Sequence, residues 1–378
     1  MVDEKRYASK LVTIFLSLLL GISLVVPAGE VSVTPLLDTP NNRSYYDHLI
    51  ESVRAAEDSI EVLMATADHY PDHPGGIQSR LFDALGAASD RGVRVRVILD
   101  ESDFSQDITE ANRETAGVLR DHGVEVKLYD PGTTNHAKLV VVDARTVLLG
   151  SSNWNYPTYT ETYQSSFRLV DEKVGRFYRR VFEKAWKGDR IEELKLPRPS
   201  GEKEVIPLIS TGESRMYFEE AARLIEGAEE SIDLVLFKIT RYPEFPDSRS
   251  NRLLEKLAKA HSRGVKVRII LDVNTWSDDV NQSNRETALW LLGRGIRNVS
   301  FDSKSITTHS KVMIVDGESV LLGSTNWSYY SLAENLEVDV SIRSAPSVGR
   351  AFGEYFERLW EKAEIPSREE LSGALRGN

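Results

Sequence analysis

A histidine and a lysine stand two residues apart at two places in this chain of 378 residues. The first copy is His136-Ala-Lys138 and the second is His309-Ser-Lys311, and each precedes a short apolar run typical of a buried strand. Residues two apart on a strand point to the same face, so the imidazole and ammonium groups should lie side by side. An imidazole with a near-neutral pKa can act as a nucleophile or a proton donor, and a neighbouring ammonium group can bind an anion.

Each apolar run ends at an aspartate, which a Gly-Ser-x-Asn turn follows with identical spacing in both copies: Asp143, Ser151 and Asn153 in the first, Asp316, Ser324 and Asn326 in the second. The turn offers a hydroxyl, an amide and close backbone approach, all of which suit phosphate oxygens. Asp143 and Asp316 are included in the predicted catalytic set as residues of the motif, although a role within the turn is a simpler interpretation than contact with substrate. Two copies brought together would place one histidine on each side of a single phosphorus, as in-line displacement requires.

The repeat extends well beyond these motifs. Arg91-Gly92-Val93 recurs as Arg263-Gly264-Val265, and Asn112-Arg113-Glu114-Thr115 recurs as Asn284-Arg285-Glu286-Thr287. A repeat of this length exceeds the periods of solenoids and propellers, which favours two duplicated domains. The Asn-Arg-Glu-Thr segments are predicted to open helices, where helix capping would explain them.

Strands alternate with helices in both halves, which predicts an α/β fold with two duplicated domains, each a mixed β-sheet flanked by helices. The predicted boundaries are a signal peptide or membrane anchor over residues 1–28, domain 1 over 30–187, a linker over 188–202, domain 2 over 203–363 and a tail over 364–378.

Composition restricts the possible partners. The 58 acidic and 47 basic residues give a net charge of −11, which provides no global attraction to a polyanion. Any phosphate affinity must therefore be local. The absence of cysteine excludes disulfides and thiolate metal sites.

The N-terminus is basic and then apolar. Lys5, Arg6 and Lys10 precede an apolar run from Leu11 to Ala28, which predicts either a cleaved signal peptide or an uncleaved membrane anchor. Both alternatives predict an exported protein, extracellular or in the cell envelope, with membrane contact through residues 11–28 if the segment is retained.

The doubled motif resembles the signature of the phospholipase D superfamily, and the resemblance covers residues 30–363. That signature is His-x-Lys, four residues, Asp, six residues and Gly-Ser-x-Asn, and both copies match every position. The resemblance implies a bilobal chain with its active site at the pseudo-twofold interface of the two domains. It also implies a phosphodiesterase that needs no metal or cofactor, and one that is monomeric because both half-sites lie in one chain.

The resemblance further implies the roles of individual residues. One histidine attacks phosphorus to form a phosphohistidine, while the other protonates the leaving alkoxide and then deprotonates water. The phosphate oxygens would be held by the motif side chains: Lys138, Lys311, Asn153 and Asn326, supported by Ser151 and Ser324.

The two halves differ at the position where this superfamily commonly places a carboxylate that orients a histidine. Glu337 stands there in the second half and Gln164 in the first. We expect Glu337 to back His309 in its own half, which predicts His309 as the nucleophile and His136 as the acid and base. Glu161 and Glu334, which lie at equivalent positions nearer the motif asparagines, are alternative orienting residues.

Three functions remain open at this stage. A phospholipid, hydrolysed to phosphatidate and an alcohol, is the leading prediction, and an exported nuclease acting on DNA or RNA is the alternative. Phosphatidyl transfer is predicted less strongly, because cardiolipin synthases usually carry Asp and Arg after the motif asparagine, where Trp327-Ser328-Tyr329 stands here. Trp154 and Trp327, with the tyrosines that follow them, are either an aromatic rim that contacts substrate or residues that pack against the lobe interface.

Overall fold

The computed structural model describes residues 31–101, 105–129, 132–197 and 203–376. The first lobe contains strands β1 (Ser32–Asp38), β2 (Ser59–Met64), β3 (Arg94–Asp100), β4 (Glu125–Tyr129), β5 (Lys138–Val142), β6 (Thr146–Gly150) and β7 (Gln164–Val170). Its helices are α1 (Ser44–Arg54), α2 (Ile77–Asp90), α3 (Gln106–Asp121), α4 (Tyr156–Thr160) and α5 (Glu172–Lys187).

The second lobe repeats this order of elements. Its strands are β8 (Glu204–Ser210), β9 (Ser231–Leu236), β10 (Lys266–Leu271), β11 (Val299–Phe301), β12 (Lys311–Val315), β13 (Ser319–Gly323) and β14 (Glu337–Arg343). Its helices are α6 (Met216–Gly227), α7 (Arg249–Ser262), α8 (Asp278–Gly293), α9 (Tyr329–Ala333), α10 (Pro346–Trp360) and α11 (Arg368–Arg376).

Each lobe forms one mixed sheet. The described residues give seven strands in the order β1-β7-β6-β5-β2-β3-β4 in the first sheet and β11-β10-β9-β12-β13-β14-β8 in the second. In the first sheet β2, β3 and β4 run parallel, whereas β5, β6, β7 and β1 add in antiparallel fashion. The predicted α/β fold of two duplicated domains, each a mixed sheet flanked by helices, is confirmed.

One hydrophobic core extends through both lobes. It contains Phe177 of α5, Leu208 of β8 and Phe352 of α10, all nearly inaccessible to solvent. The rings of Phe167 and Phe352, one from each lobe, lie 5.1 Å apart. A second core fills the space between the first sheet and helices α1 and α2. Because apolar area is buried between the lobes, the packing that stabilises each lobe also fixes the interface.

The paired Asn-Arg-Glu-Thr segments do not cap helices, so that prediction is wrong. Asn112 lies in the middle of α3, fully buried. Its Oδ1 accepts from the N–H of Ala67 at 2.9 Å, and its Nδ2 donates to the carbonyls of Ala65 and Asp100, both at 2.8 Å. Asn284 in α8 makes the equivalent three bonds. Each asparagine therefore ties a helix to the ends of two neighbouring strands.

The two ends of the chain differ in what the structure describes. The predicted signal peptide or anchor over residues 1–28 lies outside the described residues. Within the predicted tail, α11 buries Leu371 against the core of the second lobe. No helix of the described residues is long and apolar enough to cross a membrane. The predicted domain boundaries stay predictions.

Candidate active site

The sheet brings the histidine, lysine and asparagine of each motif to one end of each lobe. β5 pairs antiparallel with β2 and β6, so Lys138 lies opposite Met64, the last residue of β2. His136 immediately precedes β5, and Asn153 follows the last residues of β6. The same register in the second sheet places Lys311 opposite Leu236. Both half-sites therefore stand where a central strand ends.

Backbone hydrogen bonds join the two half-sites directly. The N–H of His136 donates to the carbonyl of Leu336 in the second lobe at 3.0 Å. The N–H of His309 donates to the carbonyl of Tyr163 in the first lobe at 2.9 Å. Each motif histidine is thus fixed to the chain that enters the last strand of the opposite lobe, and the two histidines share one interface.

The side chain behind each histidine also comes from the opposite lobe. Nδ1 of His136 donates to both carboxylate oxygens of Glu337, at 2.8 and 3.0 Å. Nδ1 of His309 donates to the carbonyl of Ser151 at 3.1 Å, with Oε1 of Gln164 at 3.3 Å. The expectation that Glu337 backs His309 is therefore wrong, because the first residue of β14 faces the motif of the other lobe.

These contacts select the nitrogen that faces the site. Since a carbonyl or carboxylate oxygen accepts at Nδ1, the proton of the neutral ring lies on Nδ1 in both histidines. Nε2 then carries the free lone pair. A nucleophile or a base needs that lone pair, and both imidazoles offer it.

The two alternative orienting residues do not contact the histidines. Oε1 of Glu334 accepts from the hydroxyl of Tyr329 at 2.8 Å, and Glu161 is exposed. Of the four predicted orienting residues, the structure therefore brings Glu337 and Gln164 to the histidines.

The motif lysines are buried and bond to their own histidines. Nζ of Lys138 donates to the main-chain carbonyl of His136 at 2.7 Å, and Nζ of Lys311 donates to that of His309 at 2.6 Å. Each ammonium group is therefore held beside its histidine, as the two-residue spacing predicts.

Burial dominates the electrostatics. It lowers the pKa of His136 and of His309 well below 6.5, and the charges of both motif lysines lower each further. Burial also lowers the pKa of Lys138 to about 8, while Glu337 opposes that shift. The pKa of Glu337 itself is raised by burial to about 7. Because both lysines affect both histidines, the four groups belong to one site.

The second lobe contributes more acid to the site than the first. Asp339, two residues beyond Glu337 and equally buried, accepts from the N–H and the hydroxyl of Thr325 at 3.1 and 2.6 Å. Burial, with the charge of Glu337 added, raises its pKa well above the usual value. The first lobe carries Gln164 and Ser166 at these two positions. Sequence reasoning found the first of these differences and missed the second.

The Gly-Ser-x-Asn turns behave in two ways. The Ser151 hydroxyl donates to Oε1 of Gln164 at 2.6 Å, and that of Ser324 contacts the carbonyl of Val338, so the serines support the strands. Oδ1 of Asn153 and of Asn326 is buried with no hydrogen-bond partner among the described residues. An unpaired buried amide is costly, so a ligand is its natural partner. Nδ2 suits a phosphate oxygen and Oδ1 suits an alcohol hydroxyl.

The motif aspartates lie at the far end of their strands. The carboxylate of Asp143 accepts from the N–H groups of Glu57, Asp58 and Ser59, the residues that lead into β2. Asp316 does the same for the residues that lead into β9. Both have positive φ, 53° and 52°. Their place in the catalytic set is not supported, because they organise a turn.

The tryptophans after the motif asparagines are interior residues. Trp154 and Trp327 are fully buried, and Nε1 of Trp327 donates to the hydroxyl of Tyr217 at 2.8 Å. Both are therefore packing residues, but Trp154 belongs to the core between the first sheet and its helices, whereas Trp327 belongs to the core that extends through both lobes. Tyr156, Tyr329 and Tyr330 are exposed.

Sequence reasoning also missed two aromatic residues beside His309. Phe237 packs against its imidazole, and Trp276 stacks on Phe237. A comparison of the two halves of the sequence could have identified Phe237, because alanine stands at the equivalent position in the first lobe. Within the described ranges, no group of three or more His, Cys, Asp or Glu side chains is placed to hold a metal ion.

Curated relatives resemble most of the chain. Cardiolipin synthase A of Edwardsiella ictaluri (strain 93-146) is 25% identical over 323 residues, which are 78% of this chain and 63% of that protein. Cardiolipin synthase B of Shigella flexneri is 25% identical over 332 residues, 80% of this chain and 75% of that protein. This chain thus spans under two thirds of the length of the first relative.

These relatives contradict the predicted export. That prediction depended on the basic and apolar segment within residues 1–28, which lies outside the described residues. The relatives that cover most of the chain are cardiolipin synthases instead. The exported location is therefore wrong.

A solved structure and a family model agree on the fold. Phosphatidylserine synthase of Haemophilus influenzae Rd KW20 matches with a TM-score of 0.65 over 94% of each chain at 13% identity, which shows a shared fold. The family model described as "Cardiolipin synthase, PLD-like domain" matches residues 49–186 and 222–360, one match in each lobe. The chain therefore belongs to this cardiolipin synthase PLD-like domain family and is an enzyme of the phospholipase D superfamily.

Proposed function

We propose that this chain is a phosphatidyltransferase, which moves the phosphatidyl group of one phospholipid onto a hydroxyl group of a second. The contact of Glu337 with His136 across the lobe interface carries the two-step mechanism of this proposal, because it makes the two histidines chemically unequal within one site. The relatives named cardiolipin synthase favour transfer to a lipid alcohol over the hydrolysis that the sequence predicted first. Cardiolipin consists of two phosphatidyl groups joined through one glycerol.

His136 is the proposed nucleophile. Its Nδ1 proton is held by the Glu337 carboxylate, so Nε2 presents its lone pair, and the carboxylate stabilises the positive charge that develops on the ring during attack. The bond from Nε2 to phosphorus forms as the bond from phosphorus to the headgroup oxygen breaks. This assignment reverses the one that the sequence suggested.

His309 is the proposed acid and base. Its partners are neutral, the carbonyl of Ser151 and the amide of Gln164, so it can lose and regain a proton without a fixed counter-charge. It gives a proton to the leaving alkoxide in the first step. In the second step it takes a proton from the acceptor hydroxyl, whose oxygen bonds to phosphorus and releases His136.

The phosphodiester substrate brings a negative charge to the two motif lysines. Burial lowers the pKa of His309 and the charges of the two lysines lower it further, and a bound phosphodiester anion offsets the charge of the lysines. Binding therefore raises the pKa of His309 and favours the imidazolium that protonates the leaving group. Lys138 and Lys311, with the amides of Asn153 and Asn326, are the proposed ligands of the non-bridging oxygens.

The sequence argument against transfer depended on the residue after the motif asparagine. Trp327 stands there, but it is fully buried and bonded to Tyr217, so its identity reports packing and not substrate choice. A phospholipid also suits a chain with a net charge of −11 better than a nucleic acid, because phosphate attraction is confined to the site.

The direct test is incubation of the purified full chain with phosphatidylglycerol vesicles in the presence of a chelator. The proposal predicts cardiolipin and glycerol as products, and His136→Asn should abolish both. Phosphatidate with no cardiolipin would show a hydrolase. Cleavage of single- or double-stranded DNA with no lipid turnover would show a nuclease and refute the proposal.

A further inference from the structure

Two stacked aromatic rings extend from His309 to the surface. Phe237, directly after β9, packs edge-on against the imidazole with ring centroids 4.7 Å apart and an interplanar angle of 62°. The indole of Trp276 stacks on Phe237 at 5.7 Å and 16°. Trp276 is 64% exposed, whereas Phe237 is 7% exposed. We call these two residues the aromatic wall.

Polar contacts hold the aromatic wall in place at both ends. Nε1 of Trp276 donates to the hydroxyl of Thr307 at 3.2 Å, in the segment that leads to His309. Nζ of Lys311 lies 4.8 Å from the ring centroid of Phe237, a cation–π contact. The aromatic wall is therefore fixed beside His309 and Lys311 of the second lobe.

The first lobe has no aromatic side chain at the position of Phe237. Ala65 takes that position, and the two residues make the same backbone bond: the N–H of Ala65 donates to Ala137 and that of Phe237 donates to Ser310, both at 3.0 Å. The fold itself therefore does not require a phenylalanine here. Of these two equivalent positions, the one beside His309 carries an aromatic ring and the other carries alanine.

We infer that the aromatic wall lines the acceptor subsite and selects a lipid alcohol over water. The inference rests on the proposed function, in which His309 deprotonates the acceptor. The phosphohistidine has two fates: an acceptor hydroxyl or a water molecule loses its proton to His309, its oxygen bonds to phosphorus, and the bond from phosphorus to His136 breaks. An apolar surface beside the base excludes water and packs against the carbon skeleton of the lipid headgroup.

The branching ratio of this intermediate tests the inference. The full chain is incubated with phosphatidylglycerol vesicles, and cardiolipin and phosphatidate are measured from the same reaction. Both products come from one intermediate, so their ratio does not depend on the fraction of enzyme that is folded. Four variants are compared with the wild type: Phe237→Ala, which copies the first lobe, Phe237→Leu, Trp276→Ala, and Phe245→Ala as a control. Phe245 is 67% exposed in the same lobe.

We expect the ratio of cardiolipin to phosphatidate to fall at least about fivefold in Phe237→Ala and in Trp276→Ala. Phe237→Leu should retain most of the ratio because it restores an apolar side chain, and Phe245→Ala should leave it unchanged. An unchanged ratio in Trp276→Ala, a change at a side chain that is 64% exposed, would overturn the inference, as would an equal fall in Phe245→Ala.

The outcome separates the inference from the proposed function. Wild-type protein that forms cardiolipin, with variants whose ratio is unchanged, refutes the aromatic wall alone. Wild-type protein that forms phosphatidate and no cardiolipin refutes both.

Discussion

Replacement of Glu337 by glutamine removes the charge behind His136 and keeps the shape of the side chain. An amide oxygen can still accept from Nδ1, so the orientation of the ring is retained. The first lobe already carries a glutamine at the equivalent position, Gln164, which accepts from the hydroxyl of Ser151 and donates to that of Thr162. The variant therefore makes the two half-sites alike at this position and isolates the effect of one carboxylate.

The expected effect follows from the 2.8 Å contact between Nδ1 and the carboxylate. A hydrogen bond to a charged partner contributes about 1.5–3 kcal/mol, and each 1.4 kcal/mol is about tenfold in rate. The carboxylate stabilises the positive imidazole ring that forms during attack, so its loss acts on the transition state. We expect formation of the phosphohistidine to slow by about 10- to 100-fold.

The assay follows a single turnover of a phosphatidyl ester of p-nitrophenol, a leaving group that departs without protonation. Its release therefore reports on the nucleophile and not on the acid. Gln164→Glu, the matched control, adds a carboxylate behind His309 and is not expected to slow release. Release at the wild-type rate from Glu337→Gln would refute the reasoning, and so would slow release from the Gln164 variant alone.

Stability provides the control for Glu337→Gln. Burial raises the pKa of Glu337 to about 7, above its unfolded value of 4.5, so the folded state binds this proton more tightly. The contribution of this bound proton to the free energy of unfolding is fully present below pH 4.5 and is lost as the pH rises through 7. A neutral amide should therefore leave the unfolding midpoint at pH 8 unchanged or raise it, and a large drop would show that the lost rate reflects misfolding.

Three further predictions concern stability. Asp143→Asn keeps a residue that tolerates positive φ but weakens the bonds to three N–H groups, so the free energy of unfolding should fall by about 1–2 kcal/mol. The kcat per folded enzyme should be retained, and its loss would restore a catalytic role for Asp143. Asn112→Ala leaves three buried backbone groups unpaired and should cost roughly 3 kcal/mol in urea unfolding, whereas exposed Arg113→Ala should cost under about 1 kcal/mol; equal costs would contradict the buried tie. Burial, with Asp272 nearby, raises the pKa of Asp302 from 3.8 to about 8, so stability should fall as pH rises over that interval, and Asp302→Asn should flatten the fall in the urea midpoint; a parallel curve would contradict this.

The sequence predicted those parts of the site that repeat. Identical spacing of the two motifs placed each lysine beside its histidine, because period-two geometry on a strand is local. Alternation of strands and helices predicted the duplicated sheets for the same reason. These features depend on neighbouring residues alone.

The sequence did not predict the features that depend on how the lobes meet. Glu337 and His309 lie close in sequence, yet β14 directs Glu337 to His136 across the interface. A motif histidine could pair with the first residue of the last strand in its own lobe or in the opposite lobe. Both arrangements are compatible with the same duplicated sequence, so the repeat cannot distinguish them. The repeat identifies Asn112 as a notable residue, but the sequence alone suggests a helix start. Its three partners lie at the ends of strands that only the tertiary fold brings near.

In the proposed mechanism one site uses His136 as nucleophile and His309 as acid and base. The most direct measurement is mass spectrometry of the covalent adduct formed from the p-nitrophenyl phosphatidyl ester in His309→Asn and in His136→Asn. We predict an acid-labile phosphatidyl adduct on His136 in the first variant, where the second step is blocked, and no adduct in the second. An adduct on His309 in His136→Asn, with none in His309→Asn, would contradict the account.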